Sequence, residues 1–153
     1  MRRKENEITD RIMLDQIISG ALYCHLACSI NDQPYLIPLS FGYDGEYVYF
    51  HTALKGKKSD IFSQNSNICL GFEREVSLEK DEDQACDWSF HFQSVIATGV
   101  IEEVTKYETR LLVLDQIMSH YSDKKWTFPE KTLARTRTWK VNLKSITGKQ
   151  SLD

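Results

Sequence analysis

Hydrophobic positions recur with period two along most of the chain and with a period near 3.6 in a few stretches, and this pattern sets its elements. Residues 7–19, EITDRIMLDQIIS, place Ile8, Ile12, Leu14, Ile17 and Ile18 at near-helical intervals, with Gly20 as a stop. Residues 22–30, LYCHLACSI, alternate as a strand, with Leu22, Cys24, Leu26, Cys28 and Ile30 on one face and Asn31-Asp32 as the following turn. YLIPLSF at 35–41 reads as a second strand, and Pro38 points to an edge or a bulge because proline cannot donate to an inner ladder. Asp44-Gly45 is a hairpin signal. The third strand, 46–52, alternates Tyr47, Tyr49 and His51 with Val48, Phe50 and Thr52.

A short helix is expected over SDIFSQN and a fourth strand over NICLGFER. Residues 75–85, EVSLEKDEDQA, are acidic and without period and read as a mobile loop. Residues 86–104 supply one long or two bent strands, with Gly99 at a bulge. YETRLLVLDQIMSHY is the best helix, its stripe made of Leu111, Leu114, Ile117, Met118 and Tyr121. SDKKWTFPE reads as loop, and TWKVNLKSITG closes the chain as a strand. Six strands in near succession, without crossover helices between them, predict a mainly β fold: an antiparallel sheet or small barrel with peripheral helices.

The 153 residues suit a single domain spanning 1–153. Hydrophobic residues at 41% and charged residues at 27% are ordinary globular composition. A net charge of −3 argues against bulk attraction to nucleic acid or an anionic membrane. No apolar stretch approaches the roughly 20 residues of a membrane span. The basic N-terminus lacks the apolar segment of a secretory signal, so a cytoplasmic location is expected. Cys24 and Cys28 lie about 13 Å apart along a strand, beyond chelate or disulfide reach, and Cys69 and Cys86 are isolated. Cys24 and Cys28 read as small core hydrophobes, Cys69 and Cys86 show no ligand spacing, and no metal site is expected.

The chemistry concentrates in EYVYFHTALKGKKSD. An aromatic strand runs into Lys55, Gly56, Lys57 and Lys58, and Ser59-Asp60 can open a helix. Phosphate is held by cationic side chains together with backbone N–H groups at a helix start or a glycine-permitted turn. A solvated basic turn is the alternative. His51, beside this turn, could line a flat pocket and titrate near neutrality, or pack as an ordinary aromatic neighbour. Dinucleotide, Walker, nucleophile-elbow and zinc-protease motifs are absent. A mononucleotide with a planar ring fits what remains, and flavin mononucleotide (FMN) is the natural candidate. Single-stranded nucleic acid also uses aromatics beside basic grooves, but one short lysine cluster on an acidic chain argues against it.

The blocks PYLIPLSFGYD, YVYFHTALKGKK, CDWSFHFQSVIATGVIEEV and the terminal ITGK resemble the pyridoxamine-phosphate-oxidase-like FMN-binding split barrels, and most closely their nitroimidazole-resistance branch. The likeness covers most of the chain, including the opening MRRK-x-x-E-I-x-D. It implies a six-stranded antiparallel split barrel with FMN at a homodimer interface. Pro38, Leu39 and Ser40 would follow the flavin ring, and Phe50, His51 and Thr52 would flank ring and ribityl chain. Lys57 and Lys58, after Gly56, would grip the phosphate. Gln93 and Ser94 would reach phosphate or ribityl from the partner subunit.

Departures from the oxidases are visible. Gly56 replaces a usual serine, Lys57 replaces arginine and loses its fork, and TRTWKVN does not match their C-terminal substrate pattern. The resemblance therefore implies an FMN-dependent reductase rather than a pyridoxamine-phosphate oxidase. A nicotinamide would be the donor and a nitro-aromatic or related small molecule the acceptor, with His51 as the catalytic candidate. A non-catalytic FMN or haem carrier or sensor is the second reading.

Overall fold

The computed structural model describes residues 4–81 and 83–151; the MRR of the opening motif lies outside them. Among the described residues eight antiparallel strands form one sheet, not six. They are β1 (Glu7–Ile8), β2 (Cys24–Ile30), β3 (Gln33–Leu39), β4 (Gly42–Tyr43), β5 (Tyr47–Ala53), β6 (Asn67–Glu79), β7 (Ser89–Val104) and β8 (Thr136–Ser151). Four α-helices accompany them among the described residues: α1 (Arg11–Gly20), α2 (Lys57–Gln64), α3 (Tyr107–Tyr121) and α4 (Glu130–Leu133). The hydrogen-bonded order is β3-β2-β6-β7-β8-β5-β4, with β1 paired to β8. The two extra strands, β1 and β4, are two residues long, too short for a period to register.

β3 and β4 stand at opposite ends of that order yet are joined by only Ser40 and Phe41, so the sheet must curl until its ends meet. The result is a split barrel. Its interior holds Leu26, Phe50, Leu70, Phe72, Val95 and Val141, together with Leu14, Ile17 and Ile18 of α1 and Ile61 and Phe62 of α2. A second apolar cluster lies outside the barrel wall, where Val113, Leu114 and Ile117 of α3 pack on Val104 and Leu133. Cys24 and Cys28 are buried in the first core, and burial pushes the Cys24 thiol up to about 12.

Three local expectations are corrected. Ile8 belongs to β1, buried against β8, and α1 starts at Arg11 because the Asp10 carboxylate accepts from the Ile12 and Met13 N–H groups. Ile12, counted in the apolar stripe, is 67% exposed. Residues 75–79 are not loop but the end of β6: a bulge between Arg74 and Ser77, with Glu75 at φ +54°, resumes pairing at Ser77–His91. The bulge disturbs the alternation that identifies a strand from sequence. In α3, Val113 is buried while Tyr121 is 40% exposed.

Pro38 does lie on an edge strand, β7 is one long strand with an irregularity at Thr98/Gly99, and Asp44-Gly45 does turn a hairpin. No helix of the described residues is long and apolar enough to cross a membrane.

Candidate functional site

The seam between β3 and the β4–β5 hairpin, where the two ends of the sheet face each other, carries Pro38, Leu39 and Ser40 on one side and the end of β5 with the first turn of α2 on the other. One rim is the end of β3 and the link to β4. Pro38 and Ser40 are exposed, and Leu39 is half-buried against the core. α3 anchors this rim. The Phe41 N–H donates to the Tyr121 hydroxyl (3.2 Å), which donates in turn to the Leu22 carbonyl (3.0 Å). The Phe41 ring packs on Phe72 and His120, at centroid distances of 5.1 and 4.3 Å. Gly42 lies on the α3 backbone so closely that a Cβ would collide with the Gln116 carbonyl carbon.

The other rim is the end of β5. Its alternation sends Val48, Phe50 and Thr52 into the barrel and leaves Tyr47, Tyr49 and His51 outside. Phe50 and Thr52 can therefore offer the seam only backbone groups. The Thr52 hydroxyl donates to the Ala53 carbonyl (3.0 Å) and accepts from the Trp139 indole N–H (3.0 Å). With that proton committed, the buried Ser59 hydroxyl donates to Thr52 Oγ1 (3.0 Å). All three hydrogen-bonding capacities of Thr52 are used. The node ties β5, β8 and the first turn of α2 together.

The lysine turn sits on that node. Gly56 is the N-cap of α2, at φ +151° and ψ +155° and without a side-chain cap. Ser59 does not open the helix as expected, because its hydroxyl points inward to Thr52. The first intrahelical bond is from Asp60 N–H to the Gly56 carbonyl, so the preceding amides of the turn have no intrahelical acceptor. A Cβ at Gly56 would meet nothing within 4 Å, so the space above the turn is open. Lys57 Nζ lies 4.5 Å over the Tyr35 ring, which carries the turn's charge to the head of β3. Uncapped amides, two lysines and open space make up a donor set for an anion such as phosphate. His51, solvent-reachable but walled by neighbours, is held below the usual histidine range first by burial and then by the Lys58 charge, so its neutral form is favoured.

Gln93 and Ser94 are not part of this grouping within one protomer. Gln93 is buried, accepting from Arg74 Nε (2.6 Å) and donating to Gln150 (3.1 Å), while Arg74 also donates to the Gln16 carbonyl of α1. Ser94 lies on the outer face of the sheet, and its hydroxyl donates to the Lys149 carbonyl (3.4 Å). Both sit toward the α1 end of the barrel.

Sequence reasoning did not single out Tyr35 as a site residue, although it stands in the PYLIPLSFGYD block, and it missed the forked Arg137–Glu103 pair (2.8 and 2.6 Å) near the end of β5. Arg137 stacks 4.6 Å over Trp139 and holds the Glu103 carboxyl below its ordinary range. With Leu54, Arg110 and Leu133 they line a cavity of about 180 Å³. A larger concavity, about 500 Å³, lies instead on the outer face of β2, β6 and β7 and includes neither the rims nor the lysine turn. Its size does not make it the chemical site, since it carries one cation, Lys144, and no aromatic ring. Among the described residues no group of three or more His, Cys, Asp or Glu is placed to hold a metal.

Known proteins carry the same architecture. A candidate 5-nitroimidazole antibiotic resistance protein from Bacteroides thetaiotaomicron is 28% identical, over 94% of this chain and 85% of its own, with a TM-score of 0.83. The flavocytochrome Anf3 from Azotobacter vinelandii (18% identity, 100% and 72% coverage) superposes at TM-score 0.86. A FAD and haem binding protein from Mycobacterium smegmatis (16%, 95% and 73%) superposes at 0.81. No curated protein matches the chain in sequence. The model of the pyridoxamine 5′-phosphate oxidase family matches residues 10–150, nearly the whole length. The chain belongs to the pyridoxamine 5′-phosphate oxidase family.

Proposed function

We propose that the protein is an FMN-dependent reductase. The mononucleotide would lie along the β3–β5 seam, with its phosphate in the lysine turn. The observation that carries this reading is the Lys57–Tyr35 contact, which sets an uncapped, doubly cationic helix start against the head of the strand that forms the opposite rim. Backbone amides of the turn, Lys57 and Lys58 would hold the phosphate. Pro38, Leu39 and Ser40 on one side and the backbone of Phe50 and Thr52 on the other would border the ring. His51 would stand beside it as a hydrogen-bonding or proton-transfer group.

The chemistry supplied when FMN is bound is electron transfer from a nicotinamide donor to a nitro-aromatic or related small acceptor. The likeness to the Bacteroides protein supports that acceptor class. Among the described residues no helix covers the outer sheet face that carries Pro38 and Ser94, and a homodimer through this face would cover the seam.

The test is the absorption spectrum of purified protein, followed by anaerobic titration with a nicotinamide. A flavin spectrum that bleaches with the donor is expected, and reoxidation by a nitro-aromatic would establish turnover. Protein that neither carries nor accepts FMN would overturn the reading. A non-catalytic flavin or haem carrier is the second reading, favoured by one observation: beyond His51, the rims present no acid–base side chain. A spectrum that the donor leaves unbleached would select it.

A further inference from the structure

One titratable pair stands beside the ring-side rim without a role in the site. His25 lies at the start of β2, where the alternation that buries Cys24 and Leu26 turns it outward. In the β2–β3 register it faces Pro38, the exposed residue of that rim, one strand or about 4.8 Å away. The phosphate end of the seam is marked by Tyr35 beneath Lys57, and Tyr35 pairs with Cys28, three positions further along β2. His25 therefore sits at the ring end of the seam.

Glu73 completes the pair. In the β2–β6 register His25 faces Gly71, so Glu73, two residues on, is its diagonal neighbour. Its Oε2 nevertheless lies 3.5 Å from His25 Nδ1. The carboxylate leans back over Gly71, whose missing side chain leaves the space: a Cβ there would lie 3.4 Å from Glu73 Oε1 and 3.9 Å from His25 Cβ. The Tyr23 ring stands edge-on to the imidazole, at a centroid distance of 5.3 Å. Both members of the pair reach solvent, at 37% and 44% exposure, so the contact adds little stability. Among the described residues Nε2 has no hydrogen-bond partner, and it is the nitrogen left for a ligand.

The other histidines do not offer this. His120 Nε2 is bonded to the Ala21 carbonyl (2.7 Å), and His91 pairs with Glu79 out on the β6–β7 hairpin. His51 flanks the seam, but burial and Lys58 favour its neutral form, which suits hydrogen bonding better than giving up a proton.

Two-electron reduction of a nitro-aromatic to a nitroso-aromatic consumes two protons and releases water. The nicotinamide supplies the electron pair and one proton; one N–O bond breaks, and the oxygen leaves with both protons. The second proton needs another source. We infer that His25 donates it, from Nε2 to the departing oxygen, and that Glu73 is the positioning residue that holds Nδ1. Losing the Nε2 proton leaves a neutral ring with its hydrogen on Nδ1, the tautomer that a carboxylate at Nδ1 selects. Solvent, which reaches the ring, restores the proton. The acceptor lies on the outer face between His25 and the ring-side rim. The inference rests on the proposed reductase and names the acid that its rims lack.

Two measurements test it. The first needs no flavin: imidazole nitrogen NMR of the purified chain should show neutral His25 carrying its hydrogen on Nδ1, and Glu73→Gln should move it to Nε2. The second uses FMN-loaded protein, reduced anaerobically with a nicotinamide and reoxidised either by nitrobenzene or by ferricyanide, which takes electrons without protons. In His25→Gln the ratio of the nitrobenzene rate to the ferricyanide rate should fall at least about 100-fold, the lower end of general-acid catalysis. Glu73→Gln should lower the ratio in the same direction. A His25 hydrogen on Nε2 in wild type, or a His25→Gln ratio within about threefold of wild type, would overturn the inference and leave the reductase reading in place. Wild type that holds no FMN, or that nitrobenzene does not reoxidise, would overturn the reductase reading and this inference with it.

Discussion

Thr52→Val tests whether the lysine turn is held by the buried node beneath it. The substitution keeps shape and removes one hydroxyl, leaving the Trp139 indole N–H and the Ser59 hydroxyl unpaired. Both are almost fully buried, so neither can turn to water. An unpaired buried donor costs about 1–3 kcal/mol, which puts the pair near 3 kcal/mol. For a domain of this size that is a drop in Tm of roughly 6–12 °C. Thr52→Ser keeps the oxygen and should lose only about 1 kcal/mol, for the missing methyl.

Calorimetry on the three proteins measures this directly. A second readout separates anchoring of the turn from stability alone. With Ser59 released, the first turn of α2 loses its tie to β5. FMN affinity should then fall by about tenfold while riboflavin affinity holds, and Thr52→Ser should restore it. A Thr52→Val protein within about 0.5 kcal/mol of wild type, or one that loses both flavins equally, would refute the reasoning.

Other perturbations have equally definite outcomes. Gly42→Ala forces a Cβ into the α3 backbone, and a loss of about 2–4 kcal/mol in chemical denaturation is expected, with Tyr121 freed from Phe41. Gly56→Ala places a side chain at a positive φ with open space around it; strain alone should cost about 1–3 kcal/mol, read by the same denaturation.

His51 should titrate below the ordinary histidine value in the free protein, and an anion bound at the lysine turn should raise it by offsetting Lys58; imidazole NMR with and without inorganic phosphate checks this. The sign for stability follows. Because the native value is depressed, the unfolded chain takes the proton first as pH falls below about 6.5. His51 therefore costs stability on the acid side, and His51→Asn should soften the fall in Tm between about pH 6.5 and 5.

Much of the fold was legible because it rests on local signals. Alternation in residues 22–30 and 46–52 marked strands whose inward residues are Cys24, Leu26, Val48 and Phe50, although Leu22, expected on the same face, precedes β2 and is exposed. Asp44-Gly45 and Pro38 marked a turn and an edge for stereochemical reasons that hold in any context. What failed was non-local or out of phase. β1 and β4 exist only through their partners, and the bulge at Glu75 broke the period that would have shown β6 continuing.

The site divides in the same way. The lysines and the glycine of the turn could be read from composition and order. The inward aim of Ser59 and Thr52, the commitment of Gln93 to Arg74, and Tyr35 beneath Lys57 depend on which strands meet, which no single motif encodes.

The central claim is that the lysine turn of the β3–β5 seam holds the phosphate of FMN. Its most direct measurement is the affinity of purified apoprotein for FMN and for riboflavin, by quenching of flavin fluorescence, in wild type and in the Lys57→Ala/Lys58→Ala double variant. Two charge-assisted contacts at about 1.5–3 kcal/mol each require wild type to prefer FMN by two orders of magnitude or more, and the double variant to lose most of that preference. Equal affinities for the two flavins in wild type, or a preference that survives loss of both lysines, would contradict it.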